Sequence, residues 1–284
     1  MRRRLLIALA SIGLASIALL TACAADARTP VDSRFAVEGA ITIVIQADEA
    51  TITLVPSVAG AVIITGSIDP QRYNYSATSD GRTVRIELLR ERSLLALVRS
   101  GTASLRVRVP PGSDYEIVAS GSSVTVESGG LTSGSIETTG AVVVVQGGEG
   151  SLRIRNRSGS VAVAGHRGPL DILTSGASVD VVDHAGGSVT IVTNDAPIDY
   201  MGTIEPGGPN ALTTTNAGIT VRLVGEPSIT LDAATTNGMI TSRYAILDVQ
   251  RTPAELRGRI AGGEATLTLR TTNGSIEVIP AEAP

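Results

Sequence analysis

The sequence predicts an all-β protein, a right-handed parallel β-helix (β-solenoid) with coils of about 18–21 residues, and three observations lead there. First, aliphatic anchors recur at Val124, Val142, Val161, Val179, Ile198, Ile219, Ile240 and Ile276, at intervals of 18, 19, 18, 19, 21, 21 and 36 residues. Self-similarity at a near-constant period marks a stacked repeat. The last interval is about two periods and predicts a degenerate turn within 243–263. Second, residues around each anchor alternate, as in Ser160-Val161-Ala162-Val163 and Ser178-Val179-Asp180-Val181, the pattern of strands with one buried face. Third, 31 glycines, 2% aromatic residues and no tryptophan leave a core of Val, Ile, Leu and Ala joined by small turns. One such unit buries too little apolar surface to offset the ordering of its backbone, so neighbours must share core and hydrogen bonds. Parallel strands then stack about 4.8 Å apart, and the crossover preference makes the winding right-handed. An antiparallel meander or sandwich competes, because Asn-Gly between strands is also a hairpin signal.

Taken in order, the chain opens on Met1-Arg2-Arg3-Arg4, an apolar run from Leu5 to Leu20, and Leu20-Thr21-Ala22-Cys23. A basic start, an apolar stretch and small residues at the cut describe a signal peptide, residues 1–22, rather than part of the fold. Leu20 to Cys23 resembles the lipobox of bacterial lipoproteins, which implies that Cys23, the sole cysteine, becomes the lipidated first residue. Each buried methylene contributes about 0.8 kcal/mol and one chain anchors only marginally, so the several chains this resemblance implies would hold the protein on a membrane face. An ordinary signal peptide or an uncleaved anchor is the alternative. Residues 23–34 read as a lipidated tether, and 35–280 as a single β-solenoid domain, irregular over 35–118 and regular over 119–280. Lacking a second cysteine, the domain has no disulfide, and its stability rests on packing and ladder hydrogen bonds.

Within 35–118 the strand-like runs are Ile41 to Ile45, Thr51 to Val55, Val62 to Ile64, Arg82 to Ile86 and Leu105 to Val109, the last stopped by Pro110-Pro111-Gly112. Between them, 87–99 carries a partly helical pattern and predicts a cap or side flap. A sharper reading makes Leu94, Leu95, Leu97 and Val98 an apolar tip that touches membrane or a partner protein. From residue 120 the turns follow one another, among them Ser120-Gly121-Ser122, Ser158-Gly159-Ser160, Asn216-Ala217-Gly218, Asn237-Gly238-Met239 and Asn273-Gly274-Ser275. Gly and Asn are expected there because both reach positive φ at low cost.

Charge excludes one function class. Removal of Arg2, Arg3 and Arg4 leaves 20 basic against 27 acidic residues, a net charge of −7 with no basic cluster. Nucleic-acid binding needs a concentrated positive footprint. His166 and His184, the only histidines, lie 18 residues apart, each five past its anchor, so they are expected on adjacent coils with Asp183 beside His184. Two imidazoles and a carboxylate could hold Zn²⁺ or Cu²⁺; the plain reading is two exposed loop residues repeated by ancestry. Asp180 and Asp199 each follow an anchor and are also expected to stack, as a carboxylate pair for glycosidic chemistry or Ca²⁺, or simply as a solvated face. No nucleophile triad or phosphate loop emerges, and Gly147-Gly148-Glu149-Gly150 lacks the strand-to-helix setting of a nucleotide site.

A family resemblance then becomes visible. Phe35-Ala36-Val37-Glu38-Gly39, Val107-Arg108-Val109-Pro110-Pro111-Gly112, the Ser/Thr-x-Gly-x-Ile/Val repeats and the closing Leu267 to Val278 resemble the bacterial putative-adhesin family of β-strand-repeat proteins, a domain of unknown function. Asn194-Asp195-Ala196-Pro197 departs from its pattern by lacking Gly and inserting Pro. The resemblance implies a β-solenoid and a surface or envelope location, and it supplies no established activity. The expected function is that of a non-enzymatic, extracytoplasmic lipoprotein without cofactor, held to a membrane through Cys23 and acting as a surface adhesion, interaction or structural module toward envelope polymer or surface protein. A carbohydrate-binding protein or carbohydrate-active enzyme on a β-helix is the alternative, which a groove with clustered carboxylates near Tyr73, Tyr75 or Tyr200 would favour. A metal-binding envelope protein is the third.

Overall fold

A computed structural model describes residues 28–57, 60–91 and 102–281. Cys23, Leu94, Leu95, Leu97 and Val98 lie outside the described residues. The first strands are β1 (Thr29–Ala36), β2 (Thr42–Asp48), β3 (Ala50–Pro56), β4 (Ala61–Ile68), β5 (Tyr73–Ser79), β6 (Thr83–Arg90) and β7 (Ala103–Val109). A regular run follows: β8 (Asp114–Ser120), β9 (Ser123–Glu127), β10 (Gly134–Thr139), β11 (Val142–Gln146), β12 (Leu152–Ser158), β13 (Val161–Ala164), β14 (Leu170–Gly176), β15 (Val179–His184), β16 (Val189–Val192), β17 (Ile198–Gly202), β18 (Asn210–Thr213) and β19 (Ile219–Leu223). The chain closes with β20 (Ile229–Thr235), β21 (Ile240–Ser242), β22 (Leu247–Arg251), β23 (Glu255–Ile260), β24 (Ala265–Thr271) and β25 (Ile276–Pro280).

Every described element is a strand, and the strands form two mostly parallel sheets of 12 and 13. In the regular run the even-numbered strands lie in the 13-stranded sheet and the odd-numbered ones in the other. Consecutive strands therefore do not pair. Each pairs in parallel with the strand one repeat away, Val161 with Val179 and Ile154 with Ile172, as in a β-helix and unlike a meander. Alternation sets which side chains enter. In β7 the sequence Ala-Ser-Leu-Arg-Val-Arg-Val is buried and exposed by turns, because successive strand residues point to opposite faces. One hydrophobic cluster runs from Val31 to Val278.

Parallel register converts the repeat into ladders of like residues. One interior column runs Ile86, Ile45, Ile117, Ile136, Ile154, Ile172, Ile191, Leu212 and Leu269. In the facing sheet the column is Leu105, Ile52, Val124, Val143, Val161, Val179, Ile198, Ile219, Ile276 and Ile240. All expected anchors but one stand in it. Val142 is instead exposed and Val143 occupies the column. In Val142-Val143-Val144-Val145 every residue is apolar, so alternation cannot set the phase, and a one-residue slip exchanges the faces.

Both ends are interleaved. The rung β2–β3 stacks directly on β8–β9, with β6 and β7 on its other side, so the rung formed first in sequence is not the outermost. Likewise β24–β25 inserts between β18–β19 and β20–β21. The 36-residue interval is thereby explained: Ile240 and Ile276 are neighbours in the ladder. No degenerate rung fills 243–263. That stretch makes the antiparallel pair β22–β23 on the edge of β20. Two further corrections concern the start of the chain. From Thr29 the expected tether is already strand, antiparallel to β4, and Glu87 to Arg90, expected to be partly helical, extend β6.

The Asn-containing turns work differently from expectation. Asn216, Asn237 and Asn273 do not have positive φ. Their side chains form a ladder along the stack, Asn216 donating to Asp195, Asn273 to Asn216 at 2.6 Å and Asn237 to Asn273 at 2.8 Å. The glycines beside them serve close approach: a Cβ on Gly274 would lie 1.9 Å from the Ala217 carbonyl oxygen. Inside the same corner, Thr214, Thr271 and Thr235 donate to the carbonyls of Ala196, Ala217 and Gly274. Gly274→Ala should therefore cost about 1–3 kcal/mol, as overpacking does. Gly129→Ala, where nothing lies within 4 Å of the added carbon, should be nearly neutral. Urea unfolding of the two variants checks this, and equal midpoints would refute the packing account.

Candidate functional site

His166 and His184 do meet on adjacent rungs, but inside the protein. They are 3% and 1% exposed, not the solvated loop residues of the plain reading. Their rings stack with centroids 6.0 Å apart and planes inclined by 21°. His184 reaches the interior through a local break in β15. After Val181 strict alternation would turn residue 184 outward. Asp183 instead adopts φ 56° and the register shifts between Val181 and His184. A bulge of this kind re-aims the following side chain, and Asp tolerates the left-handed region better than most residues. Asp183 thus positions His184 while its own side chain stays in solvent.

The next rung supplies Tyr200, fully buried, with its ring edge toward His184 at 5.8 Å. His184 Nδ1 lies 2.9 Å from the Tyr200 hydroxyl, and Nε2 lies 2.9 Å from the Gly168 carbonyl oxygen. The hydroxyl also donates to the Thr203 carbonyl at 2.7 Å. His166 is different: neither ring nitrogen makes a well-aligned hydrogen bond, and only looser backbone contacts to Pro169, Gly147 and Gly150 favour its protonated form. On its far side come Gly148 and then Ser128, whose hydroxyl lies 3.3 Å from that of Tyr115. Burial pushes the Tyr115 phenol up to about 12 and raises that of Tyr200 as well. Burial first, and the His184 ring second, hold the His166 imidazole below its ordinary range. Burial lowers His184 too, against the Gly168 carbonyl and the Glu205 charge.

This geometry does not make a metal centre. An ion shared by two imidazoles must lie near both ring planes, along the nitrogen lone pairs. Nearly parallel stacked planes offer no such point between them. Asp183 does not join the pair, and among the described residues no group of three His, Cys, Asp or Glu side chains is placed to hold an ion.

Asp180 and Asp199 are register partners on the outer face, where Arg222 pairs with Asp199 at 3.2 Å. No sugar-stacking platform accompanies them: Tyr73 and Tyr200 are buried in the core, and Tyr75, Tyr244 and Phe35 pack partly against it.

A concavity of the outer surface lies elsewhere, on the 13-stranded sheet. A groove of about 550 Å³ crosses several rungs, lined by Ser135, Ser151, Ser188 and Thr190 with Glu116, Arg153 and Asp171. Glu116, Ser135, Arg153, Asp171 and Thr190 are successive register partners. Arg153 and Arg155 both reach Asp171, at 3.1 and 3.5 Å. A second trough of about 470 Å³ on the same sheet is lined by Thr213, Thr215, Thr236 and Thr272 with Arg270 and Glu255. Sequence reasoning missed both. The available signal was the recurrence of Ser133, Ser151, Pro169 and Ser188 at 18- and 19-residue intervals, where small residues leave the outer surface low.

No family model matches the chain, and no curated protein matches it. Solved structures do. One is a putative adhesin from Bacteroides fragilis NCTC 9343, 11% identical, covering 88% of this chain and 97% of that one at a TM-score of 0.38. A putative cell adhesion protein from Clostridium sporogenes ATCC 15579 is 10% identical over 89% of this chain and 100% of its own, with a TM-score of 0.24. A putative lipid binding protein from Parabacteroides distasonis ATCC 8503 is 11% identical over 89% and 97%, with a TM-score of 0.31.

The ring geometry predicts that Zn²⁺ and Cu²⁺ leave the thermal midpoint unchanged in the parent and in His166→Ala alike. Saturable stabilisation of the parent that His166→Ala abolishes would restore the metal reading.

Proposed function

We propose that this protein is a non-enzymatic, lipid-anchored β-solenoid, a surface adhesion or interaction module whose working face is the outer surface of the 13-stranded sheet. The observation that carries the reading is the alignment of polar groups on that face. Parallel register repeats each outward position rung after rung, so hydroxyls, carboxylates and guanidinium groups form rows suited to an extended partner rather than a pocket for a small molecule. Both troughs are open and lined by hydroxyls, which suits broad, shallow contact with an envelope polymer or surface protein.

A glycan-binding reading shares this face, favoured by the hydroxyl-lined groove. Of the carboxylates that also line it, Asp114, Glu116 and Asp171, the second sits beside Ser135, Asp171 is held by Arg153 and Arg155, and Asp114 accepts from the Ser133 amide. Asp180 and Asp199 lie on the opposite sheet, away from the groove. The anchor of the proposal is Cys23, in the leader preceding β1. Strand β1 is an edge strand of its sheet, and the strands flanking residues 92–101, β6 and β7, lie toward the same end of the stack. In this proposal that end faces the membrane and the regular rungs project from it as one domain over 35–280.

Two measurements test the reading separately. Cys23→Ser should move the protein from the membrane fraction to the soluble fraction and remove metabolic fatty-acid labelling; an unchanged distribution would rule out the lipid anchor. Ser135→Arg with Thr190→Arg, which fills the groove, should weaken binding to an isolated envelope-polymer fraction at least about tenfold, or about 1.4 kcal/mol, without altering the thermal midpoint. Undiminished binding would reject this face, and release of reducing sugar by the parent would reject the non-enzymatic reading.

A further inference from the structure

The hydrogen-bond network around His184 is one hydrogen short when the imidazole is neutral. A carbonyl oxygen only accepts, so the contact to Gly168 requires the hydrogen on Nε2. Nδ1 is then an acceptor and needs the Tyr200 hydroxyl hydrogen, which the Thr203 carbonyl also claims at 2.7 Å. Three contacts share two hydrogens. A second proton on the ring gives Nδ1 its own hydrogen, lets the Tyr200 oxygen accept it, and frees the hydroxyl hydrogen for Thr203. All three contacts are then satisfied.

We propose that His184 is an internal proton-binding site whose occupation at mildly acidic pH loosens the rungs between residues 164 and 203. Charge acceptance and structural tolerance conflict there. The ring is 1% exposed, and the stacked neighbour, His166, makes no well-aligned hydrogen bond through either nitrogen, only looser backbone contacts to Pro169, Gly147 and Gly150. A cation on His184 therefore sits in the buried core, 6.0 Å from a second imidazole whose own protonation it opposes. The charged groups on adjoining segments are few and exposed: Glu205 beyond Tyr200, Asp183 beside His184, and the bridged Glu149 and Arg167 on the rungs below. Below His166 the column continues through neutral Gly148 and Ser128. The Gly168 carbonyl first, and the Glu205 charge second, favour the proton on His184.

The direction of the pH effect follows from linkage. Burial holds both imidazoles below the ordinary histidine value in the folded chain, whereas the unfolded chain takes up protons near pH 6.5. The unfolded state binds more protons below that point, so the contribution is intact above about pH 6.5 and is lost as the pH falls below it.

Imidazole NMR titration of the mature protein tests the assignment. His184 should titrate below pH 6.5 and before His166. Tyr200→Phe, which removes the accepting oxygen, should shift the His184 midpoint downward. His166→Leu, which removes the stacked imidazole, should fold at pH 7.5 and shift it upward. Amide exchange, corrected for its intrinsic pH dependence, should accelerate several-fold on going from pH 7.5 to 5.0 at residues 164–168 and 182–186, and less at 114–127. A His184 midpoint at or above 6.5, titration of His166 first, or an unmoved midpoint in Tyr200→Phe would overturn the proposal. If His166→Leu does not fold, the Tyr200→Phe titration decides alone.

Discussion

Parallel register ties every rung to the two beside it. Backbone amides of one rung bond to carbonyls of the next, as Val161 N–H does to Ser178 and Gly165 N–H to Val182, each at 2.9 Å. Inward side chains are covered from above and below by their own kind. The repeat length must therefore be held within narrow limits, because a rung out of phase would expose its apolar row and orphan its amides. The corner residues hold it. Asparagine side chains bond from rung to rung outside the turn, threonine hydroxyls cap carbonyls inside it, and glycine is required where two main chains touch.

A stack so built has a difficulty at its ends, where unpaired strand edges invite association with other chains. Interleaving places β2–β3 at one end and β24–β25 at the other inside the last parallel rungs. Antiparallel strands extend beyond those rungs, β4 and β1 on β7, β5 on β6, and β23 and β22 on β20. The final edge strand, β22, has all five residues exposed, and it carries a register shift with Asp248 at positive φ. A bulge with a charge at an outermost edge discourages further pairing. The same interleaving makes the ends depend on contacts 36 to 72 residues apart, as between Ile240 and Ile276 or Ile45 and Ile117.

Much of this was legible in the amino-acid order, and the limits have physical causes. Anchors such as Val161 and Ile219 stand out because small or polar residues flank them. Val142 misleads because four valines in a row carry no phase. The 36-residue interval reads as two periods in a linear sequence, although space makes Ile240 and Ile276 immediate neighbours; insertion of a late rung leaves no local trace. The pairing of the two histidines followed from their 18-residue spacing. Their burial did not, because it depends on a bulge at Asp183, and no composition rule separates a bulge-forming Asp from a solvated one. The groove escaped notice because it is made by the smallness of serines, which sequence reading treats as turn material.

The interior column from Ser128 to Thr203 departs from the aliphatic packing of the ladders beside it. A buried polar group that is only partly satisfied is costly, and His166 makes no well-aligned hydrogen bond through either ring nitrogen. The arrangement around His184 gives the pair a different logic: the hydrogen-bond geometry fits the charged ring, the surroundings fit the neutral one, and the balance shifts with proton activity. A protein held at a membrane face would meet such changes directly. The rungs that carry the column, β13 to β17, also carry part of the outer groove through β14 and β16. Loosening the interior there would disturb the outward rows that depend on its register.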